Sequence, residues 1–374
     1  MPNSFDYTNL AVKMVCPDNV VIVDDKDLPG IYVTRTSKTL AELMNTEDAS
    51  IHPAFRFSDG TTKSVLNIGK YQGMVNGSRL YSLPCEDPAN NTPMDTIIQY
   101  CRNKGAGHHM ITGAEWAFLA LLAKKNGTQP KGNNDYGKDA SETTRVAIQT
   151  STTSGKTARV ATGTGPLSWS DTGEINGIWD LNGNVWEAIG DLRLVEGELQ
   201  VIPFNDAAKN DTDISLTSTA WRGINGEATD WDDLFIPPEK LVDASGSAVA
   251  NSSYENGATI KLDYIDNHWQ WKKTEITSKS DSSRNAAFVS TTIAADVSDF
   301  TALYLRAMAL APEAGDSDYG GDIFYANNGA AQRGAFRGGG YCYGAGAGVF
   351  ALHLNAARAY ANGHIGFRAA FENL

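Results

Sequence analysis

Residues 177–187 read G-I-W-D-L-N-G-N-V-W-E and carry the most information about the fold of this 374-residue chain. Asp180, Asn182 and Asn184 alternate as the first ligands of an EF-hand loop do, but a valine follows where that loop needs glycine, and Glu187 comes too early for the bidentate ligand. The residues alone leave two interpretations open. One is a set of oxygen ligands for a hard cation such as calcium, and the other is a tight turn whose Asn and Asp side chains bind local backbone amides.

Two helices are predicted upstream of this segment. Thr92 is expected to be the N-cap of the first helix, because apolar residues at 94, 97, 98 and 101 then follow at helical spacing. A capping box at Thr112-Gly-Ala-Glu115 predicts the start of the second helix, and Gly127 predicts its end. His108 and His109 lie between the helices, and we expect them to be solvated loop residues.

Downstream, two segments near the C-terminus alternate between apolar and other residues. These segments are 350–355 and 365–371, and a glycine-rich stretch at 338–348 precedes them. Period-two alternation predicts two antiparallel strands with one buried face. His353 and Asn355 would then point away from the buried Leu352, and replacing His353 by alanine should cost under about 0.5 kcal/mol.

Composition and charge exclude several classes of protein. Lys and Arg number 31 against 44 Asp and Glu, so the net charge of −13 argues against nucleic-acid binding and against binding to an anionic membrane. No apolar stretch approaches the ~18 residues that span a bilayer, so no membrane insertion is expected. The first ten residues show no signal peptide. None of the four cysteines belongs to a C-x-x-C pair, so a zinc site is not expected.

The chain is expected to be a loop-rich α+β protein. Residues 1–45 form an N-terminal segment, which is either a small module or a set of strands added to the main sheet. Residues 46–374 form the principal domain. Residues 206–290 are rich in Asp, Ser, Thr and Asn and are predicted to be a large insertion on one side of the fold, with Trp269 and Trp271 in a strand. A third helix is predicted at 300–310.

Three segments together resemble a known family. They are T-G-A-E-W at 112–116, the segment 177–187, and the closing pair R-G-G at 337–339 and I-G-F-R at 365–368. They resemble, in family order, the formylglycine-generating (sulfatase-modifying) type of C-type lectin fold. The resemblance implies that residues 46–374 form one C-type lectin-fold domain of this subtype.

Within that group the chain is most similar to the variable proteins of diversity-generating retroelements, whose template RNA is copied with errors at adenines. Residues 348–352, Leu354, 357–358 and 365–370 resemble their fixed scaffold. The resemblance implies a diversified C-terminal region at about 336–370 with fourteen ligand-binding positions. They are Gly340, Tyr341, Cys342, Tyr343, Gly346, His353, Asn355, Ala356, Ala359, Tyr360, Ala361, Asn362, Gly363 and His364.

The residues at these fourteen positions are consistent with such mutagenesis. Randomising the first two bases of an Asn codon cannot produce Lys, Glu, Gln, Met or Trp, and none of these five residues occurs at the fourteen positions. An ordinary surface loop would be expected to contain Lys, Glu or Gln several times. A loop that is simply rich in glycine and alanine is the alternative.

The resemblance also implies where metal and catalytic groups would be. A structural calcium ion would be held by the side chains of Asp180 and Glu187 and by the carbonyls of Gly183 and Val185, and no other cofactor is required. The enzymes of the group use two neighbouring cysteines near the C-terminus. Only Cys342 is present there, so no catalytic activity is expected.

The expected function is recognition of a protein or glycan receptor on a target cell surface. Its expected location is a virion, as part of a phage tail, or a cell surface. Two other function classes remain open. The missing second cysteine argues against an enzyme of the sulfatase-modifying type, and the absence of Glu-Pro-Asn and Gln-Pro-Asp tripeptides argues against a calcium-dependent lectin.

Overall fold

The structure, a computed structural model, describes residues 4–236 and 258–373. Residues 237–257, part of the predicted insertion, lie outside the described residues. Within the described ranges the α-helices are α1 (Ser4–Val15), α2 (Leu40–Leu43), α3 (Met94–Arg102), α4 (Gly113–Asn126) and α5 (Asp299–Ala307). None of them is long and apolar enough to cross a bilayer.

Helix α4 begins and ends where the sequence predicts. The Thr112 hydroxyl accepts a hydrogen bond from the Glu115 N–H (3.1 Å), and a Glu115 carboxylate oxygen accepts one from the Thr112 N–H (3.0 Å). Gly127 ends the helix with φ of +67°. Helix α3 has Pro93 as its N-cap, one residue later than predicted, because the Thr92 hydroxyl donates instead to a carbonyl two residues earlier.

Strands form most of the regular structure and belong to two larger sheets and two hairpins. In chain order they are β1 (Asn19–Val23), β2 (Pro29–Thr36), β3 (Val65–Gly69), β4 (Gly73–Asn76), β5 (Arg79–Ser82), β6 (His108–Met110), β7 (Thr152–Thr153), β8 (Lys156–Thr157), β9 (Trp186–Val195), β10 (Glu198–Val201), β11 (Arg222–Ile224), β12 (Phe235–Ile236), β13 (Lys261–Ile265), β14 (His268–Lys272), β15 (Arg284–Ala287), β16 (Thr292–Ile293), β17 (Ile323–Ala326), β18 (Arg333–Arg337), β19 (Leu352–Leu354), β20 (Ile365–Gly366) and β21 (Ala369–Phe371). The protein is therefore α+β, with much more sheet than helix.

The smaller sheet brings together the two ends of the chain in the order β1-β2-β3-β21-β6. Because β2 pairs with β3, the N-terminal strands extend this sheet. His108 and His109 lie in β6, paired with β21, and both are buried. The expectation of solvated loop histidines is wrong, because a three-residue strand carries them into the sheet, where the His109 Nε2 lies 2.9 Å from a Glu115 carboxylate oxygen.

The larger sheet has the order β15-β17-β19-β18-β9-β10-β13-β14-β16, with β11, β12 and β20 beside this path. The described part of the predicted insertion contributes β11 to β15 to it. Trp269 and Trp271 lie in β14, as predicted, and are fully buried in the larger hydrophobic cluster.

The two alternating segments at the C-terminus do not pair with each other. Strand β19 lies between β17 and β18 in the larger sheet, whereas β21 lies between β3 and β6 in the smaller one. Leu352 and Leu354 of β19 belong to the larger hydrophobic cluster, and a second cluster contains Trp186 and Phe336. Strand β19 is therefore covered on both faces.

Candidate functional site

The fourteen predicted binding positions divide by burial. Three of them are buried: Gly340, His353 and Ala356. The other eleven are half-buried or exposed: Tyr341, Cys342, Tyr343, Gly346, Asn355, Ala359, Tyr360, Ala361, Asn362, Gly363 and His364.

Two loops, 340–346 and 355–364, meet over the indole of Trp186. The Tyr343 ring packs edge-on against it with the ring centroids 5.1 Å apart, and the backbone N–H of Trp186 donates to the His364 carbonyl (2.8 Å). The His364 ring lies 6.5 Å from the Tyr341 ring and 6.4 Å from the Tyr343 ring. These three rings, together with the exposed ring of Tyr360, are called the aromatic surface below.

Backbone hydrogen bonds hold the first loop. The Tyr136 N–H donates to the Tyr341 carbonyl (2.8 Å), and the Gly344 N–H donates to the Asn134 carbonyl (2.8 Å). The Tyr341 N–H donates in turn to the Asn184 carbonyl (3.1 Å). None of these bonds uses a side chain of the loop, so they survive substitutions of its side chains.

The second loop is held in the same way by residues outside the fourteen positions. An Arg159 guanidinium nitrogen donates to the Gly363 carbonyl (2.9 Å), and the Asn91 N–H donates to the Asn362 carbonyl (3.0 Å). At the start of this loop the buried Arg358 forms an ion pair with Asp95, with 2.6 Å between Nε and the carboxylate oxygen.

Residues that flank the first loop set its two ends. Gly339 has φ of +81°, and a Cβ there would overlap Ala347, so only glycine fits. At the other end the Phe350 N–H donates to a carboxylate oxygen of Asp322 (2.7 Å). Burial raises the pKa of Asp322 to about 7.

The aromatic surface carries no net charge at neutral pH. Burial raises the pKa values of Tyr341 and Tyr343 and lowers the pKa of His364, so the phenols keep their protons and the imidazole is neutral. The nearby Arg159 is paired with Asp87 (2.9 Å). Contacts made by this surface therefore depend on shape, aromatic packing and hydrogen bonds.

His353 is buried, so the expectation of an exposed side chain is wrong. The residue is only 6% exposed. The centroid of its ring lies 5.3 Å from that of Trp186, 5.0 Å from that of Tyr325 and 5.4 Å from that of Phe336. Burial lowers the pKa of His353 to about 3. Alternation in the sequence indicates only that the two faces of a strand have different neighbours. Here aromatic residues of neighbouring strands cover the face that was expected to be exposed to solvent.

Gly340 and Ala356 also lie below the surface. A Cβ added at Gly340 would lie 3.4 Å from Trp186, which is ordinary contact distance, and Ala356 belongs to the same hydrophobic cluster as Trp186. These two positions and His353 are therefore buried beneath the loops.

Three of the four predicted calcium ligands, together with the backbone carbonyl of Asp180 in place of its predicted side chain, surround the side-chain amide of Gln72. Its nitrogen Nε2 lies 3.1 Å from the Asp180 carbonyl oxygen, 3.3 Å from that of Gly183 and 3.1 Å from that of Val185. It also lies 3.0 Å from a carboxylate oxygen of Glu187. An N–H donor therefore stands at the centre of the four oxygens.

Neighbouring hydrogen bonds fix the orientation of this amide. The Val160 N–H donates to Oδ1 of Asn184 (2.9 Å), so the Asn184 nitrogen must face Oε1 of Gln72 (3.0 Å). The Gln72 nitrogen consequently faces the four oxygens. Calcium needs oxygen ligands at 2.3–2.6 Å, so the residues in this arrangement do not fit a calcium ion.

The two carboxylates assigned to calcium have other partners. Asp180 accepts a hydrogen bond from the Gly163 N–H (2.9 Å). Glu187 forms a fully buried ion pair with Arg368, with 2.6 Å between Nη2 and Oε1. Within residues 4–236 and 258–373, no group of three or more His, Cys, Asp or Glu side chains could hold a metal ion.

The backbone at 180–184 is the tight turn that the second interpretation predicts. Asp180 and Asn184 have φ of +63° and +61°, a conformation that Asp and Asn tolerate well. Their neighbour Asn182 donates to the Pro130 carbonyl (2.9 Å). The amide side chains therefore bind distant segments of the chain, which the interpretation did not foresee.

The four cysteines are free thiols. Cys342 is an exposed residue of the first loop, and partial desolvation by the surrounding loop raises the pKa of its thiol. Cys85 is exposed, whereas Cys16 and Cys101 are buried.

Sequence reasoning missed two tyrosines beside the aromatic surface. The Tyr136 ring lies 6.1 Å from the Tyr341 ring, with the Lys156 ammonium 4.4 Å from the Tyr136 ring centroid. Tyr325 of β17 packs on His353. Tyr136 lies in an irregular, polar part of the chain, where no periodicity points to a site.

Comparison with models of known protein families gives no match, and comparison with curated proteins gives none.

Proposed function

We propose that the protein is a receptor-binding protein of the C-type lectin fold, of the formylglycine-generating subtype, whose aromatic surface is diversified by a retroelement. The observation that carries this proposal is that the backbones of the two loops are anchored to the rest of the fold, whereas most of the loop residues are at least partly exposed. The backbones of 340–346 and 355–364 are held by Asn134, Arg159 and Trp186, which lie outside the fourteen positions. Eleven of the fourteen residues are half-buried or exposed.

Such an arrangement suits a binding site that changes often. A substitution at an exposed position costs within about 0.5 kcal/mol when it touches no cap, core or buried network. Because the anchoring hydrogen bonds at Tyr341, Gly344, Asn362 and Gly363 use loop backbone, they tolerate any side chain that does not need a special φ. Asn355 is the exception, since its side-chain oxygen accepts hydrogen bonds from Asn327 and Ser283. Insertions are different, since they would shift the register of β19 against β17 and β18.

The chemistry of the surface favours a protein or glycan receptor. Tyrosine offers a large contact area and a hydroxyl at low entropic cost, and the neighbouring glycines and alanines let the rings lie flat against a partner. Tyr360 is 39% exposed, and its hydroxyl accepts a hydrogen bond from Asn362 (2.9 Å). The expected location on a phage tail or a cell surface belongs to this proposal.

A binding experiment tests the proposal. The variant with Tyr341, Tyr343 and Tyr360 all changed to alanine should keep its fold, measured by circular dichroism, and should lose adsorption to a panel of bacterial cells and immobilised glycans. Aromatic anchors at interfaces often contribute 2 kcal/mol or more each, so the expected loss exceeds about a hundredfold.

A matched control changes three exposed apolar residues elsewhere. Tyr7, Leu10 and Ile175 are 67%, 59% and 56% exposed, and their replacement by alanine should leave adsorption unchanged. Full adsorption by the folded tyrosine variant would contradict the proposed binding surface.

The retroelement part has its own test. The genome that encodes this chain should contain a near-copy of the DNA for residues 336–370, with adenines at the codons of the fourteen positions, beside a reverse transcriptase gene. A genome without this copy would contradict diversification and leave a binding protein of fixed specificity.

A further inference from the structure

A pocket lies on elements that the aromatic surface does not use. Its volume is about 380 Å³, and it is formed by the segment that follows the short 3-10 turn Pro53–Phe55, by the end of β10 and by the β11–β12 region. Pockets of 300–1,000 Å³ are the usual size for small ligands. None of the fourteen positions is among the described residues that line it.

Arg56 packs against two neighbouring aromatic rings in this pocket, whose centroids lie 5.6 Å apart. Its guanidinium carbon lies 4.8 Å from the ring centroid of Phe204 and 4.4 Å from that of Trp231. The Trp231 indole is itself fixed, because its N–H donates to the Ser50 hydroxyl (3.2 Å). Stacking leaves the edge of a guanidinium, where all its N–H groups lie, free to bind a planar anion.

No acceptor within the described residues takes a hydrogen bond from the Arg56 side chain. The carboxylates of Asp48 and Asp232 act on it only through charge, which raises its pKa against the stronger effect of burial. Its N–H donors are therefore available to a ligand that brings its own acceptors.

The rest of the pocket combines polar and apolar groups as saccharide sites do. Phe235 packs edge-on against Phe204, with the ring centroids 5.0 Å apart, and gives an apolar wall. Asp206 accepts a hydrogen bond from the Ser58 N–H through one oxygen (3.0 Å). Arg222 uses Nη1 for the Thr219 carbonyl, so other N–H groups of its guanidinium remain for a ligand.

We propose that this pocket, called the Arg56 pocket, binds a saccharide unit that carries a carboxylate, such as a uronic or sialic acid. The carboxylate would accept paired hydrogen bonds from Arg56, the ring hydroxyls would bond to Asp206, and the C–H face would lie against the aromatic wall. This inference does not depend on diversification, since the pocket and the aromatic surface share no residue.

Titrations with simple glycosides test the proposal. Methyl glucuronide and methyl N-acetylneuraminide are titrated into the full chain by calorimetry and saturation-transfer NMR, with methyl glucoside as the neutral control. At least one acidic glycoside should bind at least about tenfold more tightly than the glucoside. Absence of saturable binding by both acids up to about 10 mM, or equal binding by the glucoside, would overturn the proposal.

Two variants locate the site. Arg56→Lys keeps a cation beside the rings but loses the paired donors, so binding of the acid should weaken at least about tenfold. The triple tyrosine variant of the aromatic surface should bind the acid as the unchanged protein does. Unchanged binding by Arg56→Lys, or loss of binding by the tyrosine variant, would overturn the assignment. Should Arg56→Lys fail to fold, Arg222→Lys and the glucoside comparison give the same decision.

Discussion

Replacing His353 by alanine should destabilise the protein about as much as replacing its neighbour Leu352. The His353 ring is enclosed by Trp186, Tyr325 and Phe336, with ring centroids 5.0–5.4 Å away. Truncating a buried aromatic ring typically costs 3–5 kcal/mol. An imidazole is smaller and also polar, so its removal should cost about 2–4 kcal/mol. Leu352→Ala should cost about 2–5 kcal/mol.

The destabilisation is measured as the change in melting temperature. An unfolding entropy of about 2 cal/mol/K per residue makes 1 kcal/mol worth roughly 1.3 °C in a chain of this length, so His353→Ala should lower the melting temperature by roughly 3–5 °C. Tyr360→Ala is the matched control at an exposed diversified position, and its shift should stay below about 1 °C. A His353→Ala shift as small as that of the control would refute the burial of this face of β19.

Four further predictions concern the pH dependence of stability, the Gln72 amide, the His109–Glu115 pair and Cys342. The pKa of His353 is lowered to about 3, so this imidazole is protonated near pH 6.5 in the unfolded chain but only near pH 3 in the folded chain. The unchanged protein therefore loses stability as the pH falls from about 6.5 to 3. His353→Phe should lose less stability over the same pH range, measured by denaturant titrations. Neither a chelator nor added calcium should shift the melting temperature, and stabilisation of the unchanged protein by calcium would contradict the arrangement around Gln72. Gln72→Ala should lower the free energy of unfolding by about 2–5 kcal/mol, because it leaves buried oxygens without a donor. Glu115→Ala should lose about 3–5 kcal/mol because it leaves the buried His109 without its partner, and refolded protein should bind receptor normally; unchanged stability would contradict the pairing. With Cys342 the lone cysteine of its loop, no copper-dependent oxidation of a sulfatase-derived cysteine peptide should occur, and formation of product in a mass-spectrometric assay would contradict the expectation.

The sequence was most informative where a local pattern is sufficient to determine structure. The capping box at Thr112 and Glu115 predicted helix α4 because both of its hydrogen bonds join residues three apart. Trp269 and Trp271 were correctly placed in a strand. His109 was misjudged because its environment is made by β21, more than 250 residues away in sequence.

The candidate site was predictable in part for the same reason. The glycine-rich stretch at 338–348 lies in the first loop, and Gly339 there has a positive φ that favours glycine. Two contacts could not be predicted because they join segments far apart in sequence. Trp186 packs beneath Tyr343, and the Gln72 amide lies among the oxygens of residues 180–187. Local sequence around Gln72 carries no signal for that contact.

Deep sequencing of the DNA for residues 336–370, from a population of cells or phage that carries this gene, is the decisive test of diversification. Diversification predicts that substitutions concentrate at the fourteen positions, that they replace adenines of the template copy, and that the eleven half-buried or exposed positions accept the widest range of residues. It also predicts constant residues at the scaffold positions Leu352, Leu354, Ile365 and Phe367, which are buried. Substitutions spread evenly over the segment, or no more frequent there than in the rest of the gene, would contradict it.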